Sequence, residues 1–238
     1  VVMNTETAIM KITGDREIQR QFLEMSHLYD AAIREVRTKL EILDREFSIL
    51  YASNPIHHID SRLKSPRSII GKLERKGLPV TIESAEANLQ DIAGVRIVCN
   101  YIDDIYRLAD LLVRQQDLEL VARKDYIENP KPNGYRSLHL VLRVPVYLSS
   151  HTELVPVEVQ IRTIAMDFWA SLEHELRYKN DVETTAPLKD RLKRCAEQSA
   201  ALDVEMQSIY QEMRGMAGRR SEDYEVDGLW SDDDSQEE

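Results

Sequence analysis

From Glu17 to Leu50 the apolar residues Ile18, Phe22, Met25, Tyr29, Ile33, Val36, Leu40, Leu43 and Phe47 recur at spacings of three and four, uninterrupted by Pro or Gly. That period lines them up on one stripe of a long amphipathic helix. A second stripe opens at Pro187, a favoured first helical residue, and continues through Leu188, Leu192, Cys195, Leu202, Met206, Ile209 and Met213. Stripes of this kind read as core or subunit interface. Between them the pattern changes to short runs of Val, Ile and Leu broken by Pro, Asn and Gly, which predicts strands over 88–101, 118–127, 135–146 and 155–162. Helical patterns intervene over 66–76, behind the cap pair Ser65-Pro66, and over 103–114 and 164–178. The expected fold class is α+β, a mixed β-sheet flanked by long N- and C-terminal helices.

Two of these strands carry chemistry on alternate positions. Successive side chains of a strand point to opposite faces, so Tyr135, Ser137 and His139 fall on one face and Leu138, Leu140 and Leu142 on the other. Glu158 and Gln160 repeat the pattern above Val157, Val159 and Ile161. The result is a sheet with an apolar back and a front of ring, imidazole, amide and carboxylate, suited to a polar, stackable ligand. An antiparallel sheet with one ordinary solvated face is the plainer alternative.

The segment from Arg62 to Arg75 is strongly basic and has a helix start inside it. Ser68, Lys72 and Arg75 share one helix face, opposite Ile69, Ile70 and Leu73, and Arg62 and Lys64 stand just ahead of the N-terminus. Free N–H groups and the positive dipole end there would attract a polyphosphate, although a solvated basic face has the same composition. No Gly-rich P-loop is present. Asp91, at the mouth of the strand Ile92–Val98, and Glu158, in another strand, are a carboxylate pair able to share Mg²⁺; capping or ion pairing is the alternative for Asp91. Gly94 leaves room for close approach. His57-His58-Ile59-Asp60 reads as a polar lead-in to the basic segment, and His174-Glu175 lacks the second His of a zincin motif, position 178 being Tyr.

Composition adds limits. The 42% hydrophobic content is ordinary for a globular core, and no apolar run is long enough to span a membrane or to form a secretory signal, so a cytoplasmic address is expected. Cys99 and Cys195 lack metal-ligand spacing and read as buried thiols. Of the net charge of −11, nine acidic residues lie between Ser221 and Glu238 with no basic one, leaving the remainder close to neutral. That tail reads as disordered, with partner binding or autoinhibition as its alternative uses.

Taken together, Arg62-x-Lys64 with Ser68 and Lys72, Asp91-Ile-Ala-Gly-Val-Arg96, Lys124-Asp125-Tyr126-Ile127, Lys131-Pro-Asn-Gly-Tyr135-Arg-Ser-Leu-His139 and Glu158-Val-Gln160-Ile-Arg162-Thr163 resemble the nucleotidyltransferase-like synthetase domain of the RelA/SpoT family. The run Ala165–His174 looks like the single-domain small alarmone synthetases, nearest the RelP type; the long members' hydrolase and regulatory domains have no room here. The resemblance divides the chain into an N-terminal helical region (1–54), a (p)ppGpp synthetase domain (55–180), a C-terminal oligomerisation helix (181–216) and the acidic tail (217–238).

The activity implied by the resemblance is transfer of the β,γ-pyrophosphoryl group of ATP to the 3′-hydroxyl of GDP or GTP. By position, Arg62 and Arg96 would sandwich adenine, and Lys64, Ser68, Lys72 and Arg75 would hold the ATP phosphates. Asp91 and Glu158 would bind Mg²⁺, Glu158 also serving as general base. Tyr135 would stack on guanine, and Lys124, Lys131 and His139 would meet the acceptor's phosphates beside Gln160. Asp167 and Glu173 are acceptor-side candidates, with interfacial or capping roles as alternatives. Ser65 stands where long bifunctional members often carry Asp, which leaves GDP and GTP both open as acceptor. The branch forms homotetramers through its terminal helices, and RNA and the alarmone product are candidate regulators. An NMP-moving nucleotidyltransferase and an RNA-binding oligomeric protein are the competing readings.

Overall fold

Why the long first stripe exists becomes plain from what it covers. In the computed structural model, which describes residues 16–51, 53–179 and 185–218, helix α1 (Arg16–Leu50) buries Phe22, Met25, Tyr29, Ile33, Val36, Leu40 and Phe47. They join one core with the apolar side of a five-stranded sheet. The strands are β1 (Ile56–Leu63), β2 (Ala93–Cys99), β3 (Glu119–Asp125), β4 (Leu138–Tyr147) and β5 (Thr152–Thr163), in the spatial order β1-β2-β5-β4-β3. β2 and β5 run parallel and the other neighbours antiparallel, so the sheet is mixed as expected. Val95, Ile97, Leu138, Leu140, Leu142, Val157, Val159 and Ile161 are all essentially inaccessible. The predicted apolar back is therefore the core.

Shorter helices edge the sheet: α2 (Pro66–Arg75), α3 (Ile82–Asn88), α4 (Ile102–Val113) and α5 (Ile164–Lys179). The strand expected over 88–101 starts only at Ala93, because Ser84, Glu86 and Asn88 belong to α3, which Thr81 caps by accepting from Ser84 N. β1 was read as a lead-in; its burial does not alternate, and it pairs antiparallel with β2 at one edge. The expected strand 135–146 begins instead at Leu138.

Helix α6 (Ala186–Gly218) does not turn its apolar stripe into this chain's core, the first of the two readings, and leaves it open to the second, a partner. Its apolar stripe is the outward one: Leu188, Leu202, Met206, Ile209 and Met213 are all at least 41% exposed, and Cys195, expected buried, is exposed. The docked face is Ala196, Ser199, Asp203 and Gln207. Thr163 donates to Asp203 at 2.6 Å, Gln207 exchanges hydrogen bonds with Asp103 of α4, and Tyr210 stacks on Tyr101 at 4.0 Å. Hydrogen bonds to Thr163 and Asp103 offset part of the cost of burying these polar groups, so the helix docks on its polar side and leaves its apolar stripe free; burial still raises the Asp203 carboxyl. Cys99 is buried as expected. The acidic-tail reading concerns residues 219–238, outside the described residues.

Candidate active site

At one end of the sheet, α2 begins as its sequence predicts: Ser65 caps it by accepting from Ser68 N at 3.3 Å, with Pro66 in the first turn. Ile69 and Leu73 are buried beneath it, which turns Ser68, Lys72 and Arg75 outward. Lys72 Nζ and Lys64 Nζ both donate to Asp91 Oδ2, at 2.6 and 2.7 Å. Burial alone would raise the Asp91 carboxyl; the two ammonium groups outweigh it and hold it below the usual carboxylate range. Asp91 Oδ1 is buried and takes no hydrogen bond. An oxygen of that kind is ready for a hard cation.

The strand pairing lays the remaining residues across the sheet in one row. Asp60 of β1 faces Arg96 of β2, Arg96 faces Gln160 of β5, Gln160 faces His139 of β4, and His139 faces Lys124 of β3. One step along, Arg62, Gly94 and Glu158 form a second row. A Cβ on Gly94 would meet only ordinary contacts at 3.7 Å, so packing within the chain does not demand glycine there; its bare surface is the floor between Arg62 and Glu158. Arg96 is held upright by Asp60 at 2.8 Å and Asp167 at 3.4 Å.

Glu158 is bonded at both oxygens, Oε1 to His139 Nδ1 at 3.2 Å and Oε2 to the Gln160 amide at 2.7 Å. Burial opposes its ionisation and the charge of Asp91 adds to that, but the His139 and Gln160 partners prevail and keep its carboxyl below the ordinary value. The influence of Asp91 on Glu158 marks the two as neighbours. Among the described residues no three His, Cys, Asp or Glu side chains converge on one point. A pair of carboxylates with open positions for water and phosphate is the donor set that Mg²⁺ favours.

Beyond Glu158 lies an aromatic corner. Gly134, at φ 90°, turns the loop before β4, closed by Gly134 N donating to the Lys131 carbonyl at 2.8 Å. The turn brings Lys131 Nζ over the rings of Tyr126 and Tyr135, at 4.5 and 4.8 Å. Desolvation, together with Lys124 and Arg162, lowers the Lys131 ammonium, against the pull of Glu158. Glu173 reaches this loop by accepting from Asn133 at 3.4 Å. Arg162 donates to the Tyr135 hydroxyl, Gln160 Oε1 and Asp167 Oδ1 at 2.8, 2.8 and 3.0 Å.

Contacts and strand register link Lys64, Lys72 and Asp91 beside α2, and Arg96, Glu158, Gln160, His139, Lys124, Lys131, Tyr135, Asp167 and Glu173 across the sheet; Arg62 lies beside Gly94, and Ser68 and Arg75 are placed only by their position on α2. Ser137 is the exception to the alternation that pointed here: it lies ahead of β4, is fully buried and donates to the Ile161 carbonyl at 3.2 Å. Three participants escaped the sequence reading. Asp60 was hidden in the unrecognised β1. Arg162 stood inside a named motif without a role, although it continues the series 158, 160, 162 on the same strand face. Tyr126 stood inside a quoted motif without a role.

A mixed sheet whose front joins clustered lysines to an ionised carboxylate and an aromatic corner defines a nucleotide-dependent group-transfer enzyme. Residues 61–183 match the profile of the region found in RelA / SpoT proteins, and the chain belongs to that family. Of its relatives in Bacillus subtilis, the GTP pyrophosphokinase YwaC is 47% identical over 186 residues, 78% of this chain and 89% of YwaC. The GTP pyrophosphokinase YjbM of the same organism is 38% identical over 187 residues, 78% and 87% of the two chains. The solved structure of small alarmone synthetase 1 from Bacillus subtilis, bound to its product pppGpp, superposes with a TM-score of 0.76 at 37% identity, over 81% of this chain and 98% of that one. Among the described residues no helix is long and apolar enough to cross a membrane.

Proposed function

We propose that this chain is a (p)ppGpp synthetase, moving the β,γ-pyrophosphoryl group of ATP to the 3′-hydroxyl of GDP or GTP and releasing AMP. The observation that carries the reading is the seat of Glu158, ionised and bonded at both oxygens, between the Lys64–Asp91–Lys72 cluster and the Tyr126–Lys131–Tyr135 corner.

Each end suits one nucleotide. Arg62 and Arg96 offer guanidinium planes for adenine, and Lys64, Ser68, Lys72 and Arg75 offer donors for the triphosphate. Tyr135 offers a face for guanine, with Lys124, Lys131 and His139 at the acceptor's phosphates and Asp167 and Glu173 on the acceptor side. Phosphoryl transfer is chiefly positioning and charge stabilisation, and Glu158 accepts the proton of the attacking hydroxyl as general base. Asp91 through its unbonded oxygen and Glu158 would hold Mg²⁺, whose charge would offset that of the phosphates. The outward apolar stripe of α6 supports assembly into a homotetramer.

The test is incubation with Mg²⁺, γ-labelled ATP and GDP or GTP, nucleotides being resolved by anion exchange beside Glu158→Gln. The expected result is label in a more anionic guanosine nucleotide with equimolar AMP, lost in the variant. Released pyrophosphate with a transferred NMP would identify a nucleotidyltransferase instead.

A further inference from the structure

Arg162 stands at the head of both hydrogen-bond chains that reach Glu158 among the described residues, one through Tyr135 and His139 and one through Gln160. A guanidinium has only N–H donors, a phenol has one proton, an ionised carboxylate only accepts, and a neutral imidazole carries one hydrogen on either of two nitrogens. Arg162 donates to the Tyr135 oxygen at 2.8 Å, and the same hydroxyl lies 2.8 Å from His139 Nε2. Glu158 as a carboxylate only accepts, so Nδ1 is the donor and Nε2 the acceptor; Tyr135, accepting from Arg162, has its proton free for Nε2. The ring hydrogen of His139 then sits on Nδ1, facing Glu158 Oε1 at 3.2 Å. The opposite tautomer would set a lone pair of Nδ1 against the carboxylate.

The second partner of Glu158 is governed from the same place. Arg162 also donates to Gln160 Oε1 at 2.8 Å, which turns the Gln160 NH₂ group toward Glu158 Oε2 at 2.7 Å. Arg162 is itself fixed by Asp167 at 3.0 Å and lies 5.2 Å from the Tyr135 ring centre. Arg162 and His139 are 7% and 8% exposed, so water has little access to substitute for these bonds.

We infer that Arg162 and the Tyr135 hydroxyl are positioning residues, locking His139 as an Nδ1–H donor and Gln160 as an N–H donor so that the Glu158 side chain is held in the orientation in which it takes a proton. The inference rests on the reading of Glu158 as general base. The Tyr135 hydroxyl thereby gains a role separate from the stacking of its ring.

Solid-state ¹⁵N spectra of the histidine-labelled full chain, with His139→Gln for assignment, read the tautomer directly. Wild type should show Nδ1–H at His139, and Tyr135→Phe should shift it toward Nε2–H. Kinetically, Tyr135→Phe keeps the ring and should lose about tenfold or more in kcat while the acceptor KM stays within about twofold. Arg162→Lys, retaining charge without the fork, should show the same split. An Nε2–H tautomer in wild type, or Tyr135→Phe with undiminished kcat or with only a raised acceptor KM, overturns the inference. Full turnover by Glu158→Gln would overturn the base assignment itself, an outcome distinguishable because the tautomer spectra do not depend on it.

Discussion

Gly134 and Ala196 stand so close that a Cβ built on the glycine would lie 2.6 Å from the alanine Cβ. The turn carrying Lys131 and Tyr135 is thus pressed directly against helix α6, which also receives a hydrogen bond from Arg136 on the Ala196 carbonyl at 3.4 Å. A helix whose outer stripe is suited to assembly packs its inner face against the aromatic corner.

Gly134→Ala is therefore expected to destabilise the chain by about 2 kcal/mol or more, from the positive φ together with the clash. Urea unfolding would measure it. Adding Ala196→Gly should relieve the clash and recover part of the loss, leaving the backbone term.

Lys64→Met or Lys72→Met should each raise the KM for ATP about tenfold or more, the scale of one hydrogen bond to a charged group, while the acceptor KM hardly moves. Initial rates with each nucleotide varied in turn would show it. Equal effects on both nucleotides would contradict the division of the site into two ends.

Asp91 also gives an acid-side signature. Its folded carboxyl titrates below the unfolded one, so its ionised form contributes stability that is complete above the unfolded value of about 4 and is lost as pH falls through the lowered folded value. The gap in denaturation midpoint between wild type and Asp91→Asn should be widest near neutrality and narrow below about pH 4. A gap that widened on acidification would contradict it.

Asp167 pairs with Arg96 and with Arg162, so under the proposed function it bridges the two nucleotide ends. Asp167→Ala should accordingly raise the KM of both nucleotides, by several-fold each given the partial exposure of the pairs, and lower kcat as well. Steady-state kinetics separates this from the one-sided lysine variants.

Met206→Glu combined with Ile209→Glu should dissolve the expected homotetramer with little change in thermal midpoint, since both side chains are exposed in the single chain, at 46% and 41%. Light scattering would follow the mass. A wild-type monomer at micromolar concentration would remove the tetramer.

Much of this architecture was legible in advance because its signals are local. The stripe of α1, the Ser65-Pro66 cap and the alternation of Val157, Val159 and Ile161 against Glu158 and Gln160 each follow from one element's own period. What escaped depends on partners. β1 carries no period-two pattern in its own sequence, Ile-His-His-Ile-Asp-Ser-Arg-Leu, and is held by pairing with β2, and α3 is only seven residues long. The docking face of α6 could not be foreseen, since nothing local tells that Asp203 will find Thr163 or that Gln207 will find Asp103. Asp60 shows the same limit: its importance exists only once Arg96 lies beside it.

The row of Asp60, Arg96, Gln160, His139 and Lys124 takes one residue from each of the five strands. None of the five is placed by its own hairpin alone, and the strand order interleaves early and late segments of the chain. A slip of one residue in β2, β4 or β5 would turn that strand's contribution into the core and bring an apolar side chain to the front, since Arg96, His139 and Gln160 each lie between two buried apolar residues. All five strands must therefore be paired in their native register at once for turnover. Turnover then serves as a sensor of registry: a chain that has collapsed and formed its helices but mispaired one strand would look folded by its helical spectrum and be chemically silent.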